Sequence, residues 1–94
     1  MKSWPFADPR NVAVFTQREV FQGQPILRVA HDDEDGAWQF LAHDVSGDAQ
    51  PMIVALEEIV KLDPSVAELA DLPLGWCAVR KDRAAAWCRK KGTP

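Results

Sequence analysis

The sequence predicts an α+β fold: a small, mostly antiparallel sheet with two or three short helices packed on one face. Three observations lead to this prediction. The chain has 94 residues, which is enough for a single domain spanning 1–94. Short apolar or alternating runs, typical of strands, recur along its length. Two stretches in the second half instead carry apolar residues at helical spacing.

The first quarter of the chain predicts an arm, a strand and a short helix. Residues 1–10 contain two prolines and form an N-terminal arm, and residues 11–16 (NVAVFT) form a buried strand. Thr16 is placed to cap the helix, with Glu19 completing a capping box, and Gly23 is placed to end it. The apolar residues expected to face inward from this helix are Val20 and Phe21.

A β-hairpin is the next predicted unit. Residues 25–31 and 37–43 alternate between two faces, as antiparallel strands do. The acidic stretch between them ends in Gly36, which we expect to supply a positive φ. Trp38 and Phe40 then share one face of the second strand.

The rest of the chain predicts two helices between two strands. A polar loop at 45–50 precedes a short strand at 52–55 and a helix at 56–62. Asp63 is placed to cap a second helix that has Pro64 at its first position. The last strand is 76–80, and residues 81–94 form a basic C-terminal tail with a helical turn over 84–91.

The charge distribution disfavours nucleic acid as a partner. The formal net charge is −3, whereas nucleic-acid-binding proteins are usually basic. Six bases between Arg80 and Lys91 have the composition of a weak nucleic-acid contact, but a solvated tail is the interpretation we favour. An acidic stretch near the middle of the chain balances them.

The compartment predicted for this protein is the cytoplasm. No secretory signal segment is recognisable, and the longest apolar run, at 52–56, is far too short to span a membrane. Cys77 and Cys88 do not form a CxxC pair, and we expect both thiols to be reduced, although a disulfide between them stays open. The oligomeric state is also open.

Several blocks of the sequence resemble a family of small uncharacterised bacterial proteins. The blocks are NVAVFTQREVFQGQPI, DDEDGAWQF and VALEEIVKLDPSVAELADLPLGW with the flanking WCAVR, and they cover residues 11–80. That family is similar to a predicted immunity-protein superfamily formerly known only as a domain of unknown function. The resemblance implies a protein that neutralises a toxin by binding it, and it implies no catalytic residues.

The richest cluster of polar side chains lies around the predicted hairpin turn. Four consecutive acids on a projecting loop raise the rate of association with a protein partner that has a basic surface. We therefore expect a partner-binding surface, with Trp38 supporting the turn from the strand behind it. The acids are Asp32, Asp33, Glu34 and Asp35.

The alternative is a small metal-dependent or hydrolytic enzyme that uses the segment from His31 to Asp35. The predicted hairpin separates His31 from His43 along its strands, which argues against a two-histidine metal site, and the acids lack calcium-loop spacing. No nucleophile, phosphate-loop or zinc-protease motif occurs. The sequence thus favours a binding module over an enzyme, and it identifies no catalytic residue, metal ligand or cofactor.

The four tryptophans divide into two pairs. Trp38 and Trp76 lie in predicted strands and should build the core. Trp4 and Trp87 lie outside the predicted elements, so each either closes the core from one end or marks a partner surface.

Overall fold

Six short strands pair into one mixed sheet within residues 4–43 and 51–92, the part of the chain that the computed structural model describes. The strands are β1 (Ala13–Thr16), β2 (Arg28–His31), β3 (Trp38–Leu41), β4 (Met52–Ala55), β5 (Trp76–Val79) and β6 (Cys88–Lys91). Helix α1 (Leu56–Leu62) and two 3₁₀ helices, Arg18–Gln22 and Pro64–Leu69, complete these ranges. The predicted α+β class and the mostly antiparallel sheet are confirmed.

The strand order is β4-β1-β3-β2-β5-β6. The β2–β3 hairpin is confirmed, with His31 opposite Trp38 and Val29 opposite Phe40. Strand β5 adds to the other edge of β2, antiparallel, and places Trp76 opposite His31. Strand β1 lies parallel to β3, and every other pairing within the described ranges is antiparallel. The sequence did not predict this parallel pair.

Fully buried side chains of three adjacent strands share one face of the sheet. Val29, Phe40 and Ala78 occupy neighbouring register positions on β2, β3 and β5, and all three are fully buried. Alternation along the strands explains this, because every second side chain points to the same face. The helical segments contribute the buried side chains of Leu56, Ile59, Val66 and Leu69.

The two helical segments after β4 follow the predicted signals. In α1 the buried residues recur at helical spacing, while acids lie in its first turn and Lys61 in its last, which suits the helix dipole. Asp63 ends α1 and caps the next segment by accepting a hydrogen bond from the Ser65 backbone N–H at 3.1 Å. Pro64 follows at the first helical position, as predicted.

Two predictions for the first 3₁₀ helix, the Thr16 cap and the inward-facing Phe21, are wrong. Thr16 does not cap it; Gln17 holds that position without a side-chain cap bond, and the Thr16 hydroxyl instead donates to the Phe40 carbonyl at 2.6 Å. Phe21 does not face inward but is 39% exposed, because the tighter 3₁₀ winding turns only Val20 into the core. Gly23 ends the helix with a φ of 103°, as expected.

The prediction for the basic tail is also wrong in two respects. Residues 84–91 do not form a helical turn: Asp82 caps a turn through the Ala84 N–H, and the chain returns as β6 along β5. Pairing with the open edge of β5 outweighs the helical preference of the alanines. Arg80 is not a solvated base either, since it is only 7% exposed and its guanidinium donates to Asp63 at 2.8 Å.

The two thiols are free in the structure. Cys77 is buried and Cys88 is exposed. The register sets Cys77 opposite Lys90 and Cys88 opposite Val79, so the cysteines do not face one another across the strand pair. The loop predicted at 45–50 lies outside the described residues.

Candidate functional site

The turn between β2 and β3 is closed by its own backbone. The Asp32 N–H donates to the Ala37 carbonyl at 2.8 Å, and the Gly36 N–H donates to the Asp32 carbonyl at 3.1 Å. Gly36 has a φ of 74°, the left-handed conformation that the sequence predicted. The acidic stretch is therefore presented on a defined turn at one end of the hairpin.

The four acids of this turn divide into two pairs. One Asp32 carboxylate oxygen accepts the Glu34 N–H at 2.9 Å, and one Asp35 oxygen accepts the Ala37 N–H at 3.0 Å. These two side chains hold the turn, as Asx turns do. Asp33 and Glu34 are exposed, and neither carboxylate has a hydrogen-bond or ion-pair partner among the described residues. The described part of the fold does not use these two carboxylates.

Trp38 supports the turn from below. Its side chain is only 1% exposed, and the indole N–H donates to an Asp8 carboxylate oxygen at 3.2 Å. The imidazole of His31 stacks on the indole with ring centroids 3.8 Å apart. Trp38 therefore lies beneath the predicted surface.

His31 is fixed on two sides. Its Nδ1 lies 2.7 Å from the Leu72 carbonyl oxygen. A carbonyl oxygen only accepts, so Nδ1 carries the hydrogen in this contact. The imidazole is held between the indole of Trp38 and the backbone that leads into β5, and this arrangement anchors the hairpin to its neighbour.

A second turn lies against the acidic one. Gly75, with a φ of 79°, donates its N–H to the His31 carbonyl at 2.7 Å. A Cβ placed on Gly75 would be 3.4 Å from the Asp33 side chain, so the two turns are in contact. Leu74, next to that glycine, is 55% exposed. We call Asp33, Glu34 and Leu74 the tip surface.

The structure does not bring the two histidines together. His31 lies at the turn end of β2, whereas His43 follows the other end of β3 and contacts a Glu19 carboxylate oxygen at 2.9 Å. Within the described ranges, no three histidine, cysteine, aspartate or glutamate side chains are placed to hold a metal ion together. Trp4 and Trp87, the two tryptophans of undecided role, both pack against the core.

The basic side of the molecule is partly neutralised. Arg89 of β6 binds an Asp71 carboxylate oxygen at 2.9 Å and the Glu68 carbonyl at 2.7 Å. The hydrogen bond and charge of Arg89 hold the pKa of the Asp71 carboxyl below its usual range. Lys90 and Lys91 are exposed on the same strand, at the outer edge of the sheet.

Comparisons with protein-family models, curated proteins and solved structures return no match for this chain. In the described ranges, no helix has both the length and the apolar character that crossing a membrane requires.

Proposed function

We propose that this protein is a non-enzymatic binding module. Its tip surface binds a basic surface on a partner protein. One observation carries the proposal. Asp33 and Glu34 are exposed and unused by the fold, while the neighbouring acids Asp32 and Asp35 hold the turn that presents them. A turn that needed only its structural carboxylates would not require the other two.

The tip surface combines the two kinds of contact that interfaces use. Clustered negative charge speeds the encounter with a positive surface and favours the correct orientation. The exposed Leu74 beside it offers an apolar contact that excludes water once the partner is seated. The stacked rings of His31 and Trp38 fix the turn in advance, which lowers the entropy lost on binding.

The more specific form of this role is that of an immunity protein. The resemblance to the predicted immunity superfamily implies a toxin as the partner, and the acidic surface suits a toxin with a basic face, such as one that binds nucleic acid. The protein would then neutralise that toxin by covering this face. We place the interaction in the cytoplasm, and it requires no cofactor and no catalytic group.

The test measures association kinetics with a partner recovered by pull-down from the native host. Asp33 and Glu34 are changed together to Ser, which leaves the turn-holding Asp32 and Asp35 in place. We expect the association rate at low salt to fall by about three- to tenfold and its salt dependence to flatten, while the dissociation rate changes less. Leu74→Ala should instead raise the dissociation rate.

The matched control removes two acids elsewhere. Glu58 and Glu68 are exposed, and changing both to Ser alters the net charge equally without touching the tip surface. This variant should associate at nearly the parent rate. If the tip variant and the parent associate at equal rates at low salt and again at high salt, the acids only solubilise the turn.

A further inference from the structure

A cavity of about 400 Å³ lies between the N-terminal segment and the two helical segments that follow β4. Its walls include Trp4, Arg10, Glu57, Val60, Lys61 and Pro64. Small-molecule sites in proteins have volumes of roughly 300–1,000 Å³ and combine apolar walls with a few polar groups. This cavity has that size and that lining.

The arm side of the cavity holds a fixed cation. The guanidinium carbon of Arg10 lies 4.8 Å from the ring centroid of Trp4, a cation–π contact. Trp4 is itself anchored, since its indole N–H donates to the Asp8 carbonyl at 2.7 Å and its ring contacts Phe6 of the core. The guanidinium of Arg10 has no hydrogen-bond acceptor among the described residues, so its donors remain available.

The helix side of the cavity holds an unpaired anion. Glu57 lies in the first turn of α1, and its backbone N–H donates to the Arg10 carbonyl at 2.9 Å, which fixes the two walls relative to each other. Its carboxylate forms no ion pair with Arg10 or with any other described residue. Lys61, by contrast, is already paired with Glu58 at 3.3 Å.

We propose that this cavity binds a free α-amino acid with an apolar side chain. The ligand carboxylate would bind the Arg10 guanidinium, the ligand ammonium would bind the Glu57 carboxylate, and the side chain would lie on Val60 and Pro64. A zwitterion is the ligand class that satisfies both unpaired charges at once, and the apolar wall accounts for the rest of the volume. The proposal does not depend on partner binding at the tip surface.

The experiment uses backbone amide NMR of the whole protein with three probes of nearly equal size. They are L-phenylalanine, 3-phenylpropionate without the ammonium group, and 2-phenylethylamine without the carboxylate. We expect saturable shifts with L-phenylalanine, centred on the amides of Glu57, Val60 and Lys61. Each analogue should bind at least about tenfold more weakly, because one charge is left unpaired.

Two variants test the assigned contacts, and each removes one charge. Arg10→Gln and Glu57→Gln should each weaken L-phenylalanine binding about tenfold. Arg10→Gln should also reduce the difference in affinity between L-phenylalanine and 2-phenylethylamine, and Glu57→Gln the difference between L-phenylalanine and 3-phenylpropionate. The controls Arg18→Gln and Glu68→Gln remove one charge each outside the cavity and should bind as the parent does. Absent or non-saturating shifts, equal binding of all three probes, or full affinity in a folded Glu57→Gln variant would each overturn the proposal.

Discussion

The imidazole of His31 lies flat against the indole of Trp38, with ring centroids 3.8 Å apart and planes at 14°. The same imidazole bonds to the Leu72 carbonyl, and Trp38 bonds to Asp8. This pair of side chains therefore joins the hairpin, the segment that enters β5 and the N-terminal arm. It is the support on which the acidic turn rests.

Removing the imidazole should loosen this support. We expect His31→Ala to lower the free energy of unfolding by about 1–3 kcal/mol, because a stacked ring and a hydrogen bond are lost together. Urea denaturation of the variant measures the change. His43→Ala is the matched control, and losing its exposed contact with Glu19 should cost less than about 1 kcal/mol. Equal losses in the two variants would contradict the structural role of the stacked pair.

Arg80 should be among the most sensitive charged residues. Its guanidinium donates to Asp63, Ser65 and the Ile26 carbonyl, and it stacks on Trp87 at 4.1 Å. We expect Arg80→Met to cost about 3–5 kcal/mol, because it leaves a mostly buried carboxylate without its cation.

Arg80→Lys separates charge from geometry. It keeps the charge, but a lysine ammonium cannot reproduce the forked set of donors, so the variant should still lose about 1–3 kcal/mol. The midpoint of urea unfolding, measured for both variants, is the readout. A lysine variant as stable as the parent would show that charge alone is sufficient at this position.

Gly36 tests backbone strain without a steric effect. Its φ is 74°, and a Cβ built there would have no atom within 4 Å. We expect Gly36→Val to destabilise the fold by about 1–3 kcal/mol through strain alone. Gly36→Asn should cost clearly less, because asparagine tolerates the left-handed region. Thermal unfolding of both variants measures the difference, and equal losses would argue against strain as the cause.

The Asp71–Arg89 pair predicts a pH response at β6. The folded state lowers the pKa of Asp71, so the pair contributes stability above the ordinary aspartate pKa of about 4 and loses it as the pH falls through the lowered value. A carboxyl-carbon NMR titration should find the Asp71 midpoint below that range in the parent. In Arg89→Gln it should return toward the ordinary value. An unchanged midpoint in the variant would rule out Arg89 as the cause.

Local signals in the sequence predicted the hairpin, its glycine and the Asp63 cap. Each depends on residues that are close in the chain: alternation over 25–31 and 37–43, and a capping residue before Pro64. The parallel pairing of β1 with β3 and the addition of β6 to β5 have no such signal. They depend on which strand edges remain open after the rest of the sheet has formed. For this reason the helix preference of residues 84–91 led to a wrong prediction of a helical turn where β6 forms.

The candidate site could be predicted in composition but not in detail. The run of acids and the supporting place of Trp38 follow from charge and from strand alternation. The separate roles of Asp32 and Asp33 depend on turn hydrogen bonds that adjacent acids do not reveal. The contact of Asp33 with the Gly75 turn joins segments far apart in sequence. Arg80 was missed because its acceptors, Ile26 and the pair Asp63 and Ser65, come from two segments far from it in the sequence.

The strand order also has a kinetic consequence. The loop that joins β2 and β3 is the shortest between any two paired strands of the described chain. The loop that closes when β1 pairs with β3 is longer, because it contains β2. Strands β5 and β6 join the sheet from the C-terminal part of the chain. Short loops close at lower entropic cost, so the hairpin is the expected folding nucleus. Substitutions that weaken the contact between the paired residues Val29 and Phe40 should therefore slow folding. Substitutions in β6 should mainly speed unfolding.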